Sequence, residues 1–440
     1  MAEAWLPELA EWIRIPSISA DPAHAADVRA AGEWLCDRIR GAGGTADIVE
    51  WEGSPLAVGE IRASTGADEA PTVLCYGHFD VQPPDPLELW ESEPFEATIR
   101  GEWLYGRGVA DDKGQLYLLL KAAEQLAAEG ALPVNVRFAC DGEEETGGHS
   151  IVDFLTADER GADAAVIFDS DMIARGMPAI NVATRGLCYF HLIVRTGARD
   201  LHSGMYGGAA LNAAHALTTI LAAVTPRDGR SPEPLRAGIA PITDEERASW
   251  ATLPAGEGEL RDQGARPSDR RAAEEFYART WADAALDVNG IQGGSAVLQK
   301  TVLPVEAQAN VSIRLAPGQD PQTIAKAFEE LVREATPEGA DVELELWAWS
   351  EPGLVPPDAP AIQLALDAFD RALGVRPLLI RSGGTLPIVP ALVHNGIPVV
   401  VTGVALPDSN IHSPNERILV DYVPLGIAAA RELFVAWAAL

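Results

Sequence analysis

The chain has 440 residues, with 33 basic against 65 acidic side chains and a formal net charge of −32. So acidic a balance excludes nucleic acid and anionic membrane as partners, because a basic patch able to hold either would not survive the surrounding field. A composition of 47% apolar and 22% charged residues is that of an ordinary globular protein, long enough for two domains with separate cores.

The start, Met1-Ala2-Glu3-Ala4-Trp5-Leu6, has no basic segment leading into an apolar run, so no signal peptide is read there. No apolar stretch is expected to reach the roughly 18 to 20 residues that a membrane helix needs. Cys36, Cys75, Cys140 and Cys188 lack paired spacing, and Cys75 and Cys140 fall inside apolar runs, which predicts buried free thiols and a cytoplasmic location.

Helical spacing of Trp5, Leu9, Trp12 and Ile13 predicts a first helix over about 4–15, stopped at Pro16, and a second over about 25–41. Strands follow over about 46–50, 56–62 and 72–76, the last an apolar run of the kind buried in a parallel sheet. It leads into Gly77-His78-Phe79-Asp80-Val81, where an imidazole could ligate a metal and a carboxylate two residues on could orient it.

Next comes Gly106-Arg107-Gly108-Val109-Ala110-Asp111-Asp112-Lys113-Gly114, ahead of an amphipathic helix over about 115–128. Its glycines permit sharp turns, and its two acids bring negative charge to a helix start. An isolated pair of this kind reads first as a helix cap. Here, however, the pair has company. The strand over about 133–140 ends in Asp141-Gly142-Glu143-Glu144-Glu145-Thr146-Gly147-Gly148, at the apolar end of a strand where uncompensated charge is penalised. The strand over 164–168 ends in Asp169-Ser170-Asp171, and the one over 397–403 is followed by Asn410-Ile411-His412-Ser413-Pro414-Asn415-Glu416. An apolar strand followed by an acid or histidine thus recurs four times, with the Asp111 turn as a fifth contributor. Open α/β sheets bind ligands beyond the carboxyl ends of their strands, so these segments are expected to converge.

Two divalent cations bridged by a carboxylate and a water would each need about one imidazole and one terminal carboxylate besides the bridge. The chain offers His78 and His412, Glu145 and Asp169, and Asp111 as the bridge, with Asp112 and Asp171 as alternative ligands on composition. Three carboxylates leave two dications one positive charge in excess, which favours a bridging hydroxide at neutral pH. A neighbouring carboxylate outside the ligand set would carry its proton, and Glu144 is the natural candidate for that general base.

Between these halves, from 184 to 349, the texture changes. A strand over about 187–195, a helix over 212–224, an irregular Pro/Gly/Asp-rich section, a strand pair over 301–315, a helix over 323–335 and a strand over 341–347 give a β-α-β-β-α-β order. The expected organisation is therefore α/β. A catalytic domain of 1–183 and 350–440 holds a mixed, mostly parallel sheet flanked by helices, and an α+β ferredoxin-like lid and dimerisation domain of 184–349 is inserted into it.

Taken together, the His78, Asp111 and Glu145 motifs, Asp200-Leu201-His202-Ser203-Gly204 and His412-Ser413-Pro414-Asn415-Glu416 resemble the M20 family of metallopeptidases. The nearest branch is that of the cytosolic carnosine dipeptidases, through Gly238-Ile239-Ala240-Pro241-Ile242 and Lys300-Thr301-Val302-Leu303-Pro304. The resemblance implies that His78 and Asp169 hold one zinc, Glu145 and His412 the other, and Asp111 bridges them through a cis peptide to Asp112. It implies that Asp80 orients a ligand, Glu144 is the general base and His202 stabilises the oxyanion in a partner subunit's site. Thr301, Arg314, Gly384 and Thr385 would bind substrate, with Arg314 pairing its terminal carboxylate. One departure stands out: where relatives carry another substrate-contacting histidine, this chain reads Leu346-Trp347-Ala348-Trp349-Ser350-Glu351, so substrate preference is expected to differ, with the tryptophans lining an apolar pocket.

The expected function is hydrolysis of the amide bond of dipeptides with a free C-terminal carboxylate by a metal-bridged hydroxide. It would need two divalent ions per subunit, zinc or else manganese or cobalt, in a homodimer paired through the lid, whose closure excludes water. The alternative on the same fold is an N-acyl or N-carbamoyl amino acid amidohydrolase, and the remote one an inactive metal-binding or scaffold homologue.

Overall fold

A computed structural model describes residues 4–51 and 53–440, and its chain divides into two compact units. Met1, Ala2 and Glu3, part of the stretch read above for a leader, lie outside the described residues. The first unit comprises residues 4–182, 355–380 and 391–440, and the second 183–354 and 381–390. The boundaries expected from the sequence, 184 and 349, lie close to these, but the short segment 381–390 belongs to the second unit and not to the catalytic domain that the sequence predicts for it.

The sheet of the first unit runs in the order Thr45–Trp51, Ser54–Ile61, Asn135–Cys140, Thr72–Tyr76, Ala164–Phe168, Val399–Thr402 and Ala179–Thr184, the last leading the chain onward. Parallel pairing joins Asn135–Cys140, Thr72–Tyr76, Ala164–Phe168 and Val399–Thr402. Both flanks are antiparallel, so the sheet is mixed, but its parallel part is its centre rather than most of it. At the first edge the cause is connection length: Ser54 follows Trp51 so closely that only an antiparallel hairpin can form. The central strands are buried on both faces, as continuous apolar runs require.

The helix after the Asp111 turn is Lys113–Ala128, and every residue from Lys113 to Leu120 is buried, so its first two turns lack the solvent face expected of an amphipathic helix. Gly426 of the C-terminal helix Tyr422–Ala436 lies against it, where a Cβ would come 2.5 Å from Leu118 Cδ1. Alanine at that point would require the Leu118 side chain to shift. The window Tyr422–Ala439 corrects the expectation about apolar stretches: 18 residues with a mean hydropathy of 1.2 are long and apolar enough to cross a membrane. Six alanines offset Arg431 and Glu432, which is why a search for long runs of large apolar residues passes over it. Here Val423, Ile427, Ala430, Leu433 and Phe434 are buried within the unit.

In the second unit an antiparallel sheet runs in the order Ala285–Gly293, Glu306–Leu315, Gly186–Arg195 and Asp341–Ser350. Cys188, Phe190, Leu192 and Val194 alternate onto one face, where they pack with the helices Ala213–Val224 and Pro321–Ala335. The strand pair expected over 301–315 is drawn differently. Glu306–Leu315 pairs with Ala285–Gly293, from inside the section read as irregular, while Val302–Leu303 forms a two-residue ladder with Leu201–His202. Pro304 lacks the N–H that a continuous strand would need there. The rest of that section contains short helices, one begun by a capping box of Thr243 and Glu246. Glu246 is buried and forms a two-pronged ion pair with buried Arg381, which ties segment 381–390 to this unit.

Candidate metal centre

The ligand-type side chains sit in loops and turns beyond strand ends, with Asp111 in the turn just before a helix. His78 follows Thr72–Tyr76 and is fully buried. Its Nδ1 lies 3.2 Å from the Asp80 carbonyl and 3.3 Å from Asp80 Oδ1, acceptors that fix the ring and turn Nε2 to Asp111 Oδ1 at 3.0 Å. Asp80 does more than orient this ring. Its two oxygens accept from the main-chain N–H groups of Glu144, at 3.3 Å, and Glu145, at 3.1 Å, so one buried carboxylate sets both His78 and the acidic loop.

The three glutamates of that loop part company. Glu143 accepts from Ser150 N–H at 3.0 Å, at the start of the helix Ser150–Ala157. Glu145 is held by Gln82, whose Nε2 donates to Oε2 at 2.8 Å and whose main-chain N–H donates to Oε1 at 3.2 Å. Glu144 is half-buried between them, its carboxyl held above the usual range by burial and then by the charge of Glu145.

Asp111 and Asp112 are joined by a cis peptide bond. Asp112 does not cap the following helix; its Oδ2 accepts from His78 N–H at 3.1 Å. Gly77 makes that approach possible, since a Cβ there would lie 2.5 Å from the same oxygen. Asp111 presents Oδ1 to His78 and Oδ2 to His412 Nε2, 2.9 Å away, and His412 Nε2 is also 3.0 Å from Glu145 Oε2. Asp169, directly past Ala164–Phe168, brings Oδ2 to 4.0 Å from His78 Nε2. His412 lies in a loop where it, Asn410 and Asn415 all adopt positive φ, an uncommon backbone for side-chain-bearing residues and one that asparagine tolerates best.

Glu416 lies four residues beyond His412, and its sequence motif alone gives it no role. It is fully buried and accepts from Ala110 N–H at 2.8 Å, Asp111 N–H at 3.1 Å, Gly108 N–H at 3.0 Å and Arg107 Nη1 at 2.6 Å. It is the template on which the Asp111 turn is folded. Gln82 was missed as well. For Glu416 the available signal was an acid closing a Pro-Asn-Glu turn beside a candidate ligand; for Gln82, a polar residue among apolar ones just past His78.

The donors therefore form two overlapping groups, His78/Asp111/Asp169 and Asp111/Glu145/His412, with ligand atoms in each within 4.8 Å of one another. Asp112 and Asp171 belong to neither group. Such a set suits divalent metal ions. Burial and then the charge of Asp111 push Asp169 up to about 8, while hydrogen bonds from His412 and His78 hold Asp111 well below the usual carboxylate range despite its burial. Acids this close and this dry are stable as anions only beside cations, and two imidazoles with three carboxylates are the hard and borderline donors that zinc, manganese or cobalt take.

The residues expected to touch substrate lie in the second unit, gathered in two places. His202 pairs with Val302 in the short ladder, and Thr301 O accepts from Ser203 N–H at 3.0 Å and Ser203 Oγ at 2.9 Å. The His202 ring accepts at Nδ1 from Gly204 N–H, 3.1 Å away. Elsewhere Arg314 Nη1 donates to Thr385 Oγ1 at 2.8 Å, and Gly384 N–H to Ser382 Oγ at 3.0 Å. Trp347 and Trp349 are about half exposed; Trp347 stacks on His191 at 4.3 Å and lies 6.3 Å from Tyr189, on the sheet face away from the helices.

The chain is similar to known proteins along nearly its whole length. A cysteinylglycine-S-conjugate dipeptidase of Corynebacterium striatum is 28% identical over 428 residues, covering 93% of this chain and 90% of that protein. A beta-Ala-His dipeptidase of Rattus norvegicus is 27% identical over 445 residues, covering 94% and 89%. The crystal structure of an M20 family metallo-carboxypeptidase from Sulfolobus solfataricus superposes with a TM-score of 0.85 at 26% identity over all of both chains. Residues 74–436, which contain every ligand candidate above, match the pattern of peptidase family M20/M25/M40, and the chain belongs to that family.

Proposed function

We propose that the protein is a dinuclear metallopeptidase that hydrolyses the amide bond of dipeptides with a free carboxyl terminus. The observation that carries this reading is the shared carboxylate of Asp111, with one oxygen 3.0 Å from His78 Nε2 and the other 2.9 Å from His412 Nε2. His78, Asp111 and Asp169 would hold one divalent ion and Asp111, Glu145 and His412 the other, zinc in the first instance. Bound there, such ions polarise the scissile carbonyl and lower the pKa of water to near neutrality.

The chain's own groups supply the remaining steps. Glu144, its carboxyl raised by burial, takes the proton from the attacking water and returns it to the departing amine. His202 accepts at Nδ1 from Gly204 N–H, which leaves Nε2 as the nitrogen that donates to the oxyanion. Arg314 spends one N–H on Thr385, leaving most of its fork for the substrate carboxylate, beside Thr301 and the Gly384 loop. A homodimer paired through the second unit is part of the proposal. Its support is the edge strand Asp341–Ser350, which carries exposed Leu346, Trp347 and Trp349. Four free, buried cysteines support a reducing, cytoplasmic setting.

Support for the substrate class comes from the two dipeptidases and the carboxypeptidase among the relatives. The test is a panel of dipeptides, their C-terminal amides, tripeptides and N-acetyl and N-carbamoyl amino acids, run on protein reconstituted with zinc, manganese or cobalt. Turnover of dipeptides and not of their amides is expected. Turnover confined to the acyl or carbamoyl amino acids would replace the reading with the amidohydrolase one. No turnover by metal-loaded protein would leave a metal-binding homologue without catalysis.

A further inference from the structure

Arg185 has no part in the account so far, yet it grips the loop that Arg314 leans on. Its main-chain N–H donates to Gly384 O and its Nε to Gly383 O, both at 3.0 Å, so one residue holds two consecutive carbonyls immediately before Thr385. The loop is confined on another side too, because a Cβ at Gly383 would come 3.2 Å from Thr280 O. Beyond Nε, the guanidinium Nη1 is buried without a partner. Burial, and then the like charge of Arg314, lower the Arg185 pKa to about 10, and Asp287 is the acid that opposes them. Arg185 also lines a cavity of about 380 Å³ with Arg266 and Arg279, and of these Arg279 is taken up by Asp269 and Glu275. Two guanidiniums that repel each other in a half-buried corner, one with unused donors, gain from an anion placed between their fields.

We propose that Arg185 is a positioning residue for carboxylate recognition: it clamps the Gly383–Gly384 loop so that Thr385 fixes Arg314, and it adds a second positive charge behind that corner. The inference rests on the reading of Arg314 as the carboxylate anchor. Its consequence is a preference for free-acid peptides that one arginine alone would not produce.

The test uses metal-reconstituted full-length enzyme with its best free dipeptide, comparing wild type, Arg185→Gln, Arg185→Lys, Arg314→Gln and the Arg185→Gln/Arg314→Gln double variant. Arg185→Gln should raise KM about tenfold or more with kcat within about threefold, the size expected for lost charge-assisted contacts. Arg185→Lys keeps the charge but not the Nε bond and should fall between the two. The double variant should be no worse than Arg314→Gln by more than about twofold, because both residues act on one anion. Melting curves identify any variant that fails to fold; if Arg185→Gln does, the KM of Arg185→Lys decides. A wild-type KM in the Arg185 variants with a raised KM in Arg314→Gln overturns the proposal and leaves the reading of Arg314 standing. Wild-type KM in all variants sinks that reading as well. Full additivity in the double variant assigns Arg185 a structural role only.

Discussion

Replacing Glu416 with glutamine changes little in size and takes one negative charge out of a fully buried position. The carboxylate accepts four hydrogen bonds at 2.6 to 3.1 Å, two at each oxygen, and one donor is the guanidinium of Arg107, itself buried. A glutamine can offer only one carbonyl oxygen. Its amide would face either Arg107 and Gly108 or Ala110 and Asp111, all donors, so about two bonds are lost and a buried cation is left uncompensated. Removing one member of a buried pair costs about 3–5 kcal/mol. Because the lost bonds fix the Asp111 turn, metal affinity should fall about 10–100-fold as well. The assay is urea unfolding of the apo protein together with zinc competition against a chromogenic chelator. Glu416→Gln with unchanged unfolding midpoint and zinc affinity would refute the claim that this side chain builds the turn. Lost stability with unchanged affinity would separate the fold from the site and refute the second half alone.

Other perturbations follow from single contacts. Gln82→Ala frees the Glu145 carboxylate and should weaken metal binding about tenfold with a melting temperature near wild type, read by the same competition. Gly77→Ala drives a methyl group against Asp112 Oδ2 and should destabilise by about 1–3 kcal/mol in denaturant titration. Glu246→Leu strands the buried Arg381 and should cost about 3–5 kcal/mol, most of it recovered in Glu246→Leu/Arg381→Met; a double variant no better than the single would contradict the pairing. With a net charge of −32, the melting temperature should rise with sodium chloride between about 0.01 and 0.5 M, and a flat response would argue against self-repulsion as a significant cost.

Much of this was legible in the sequence because the site obeys a local rule. A buried strand ends, its last residue leaves the apolar layer, and the next polar side chain must find a partner; His78 and Asp169 follow such ends almost directly, and Glu145 lies in the loop after another. What was not legible depends on contacts distant in sequence. Glu416 is about 300 residues from the turn it organises, and nothing local marks an acid as the acceptor of four remote donors. The Asp112 side chain reads as a cap because that is what acids do at helix starts; only the tertiary approach of Gly77 diverts it to His78. In the second unit, the strand Ala285–Gly293 hides because its residues beyond Val288 are exposed and carry no alternation. The C-terminal helix hides for the opposite reason, since small alanines make an apolar window without a conspicuous run.

The central claim is that Asp111 is shared by two metal ions, and metal content tests it most directly. Dialysed wild type, loaded with zinc and measured by elemental mass spectrometry and native mass spectrometry, should hold two ions per chain, one for each donor group. Asp111→Ala should hold fewer than one while keeping its fold by circular dichroism. A wild type that saturates at one ion, or an Asp111→Ala variant that still binds two with unchanged affinity, would contradict the account.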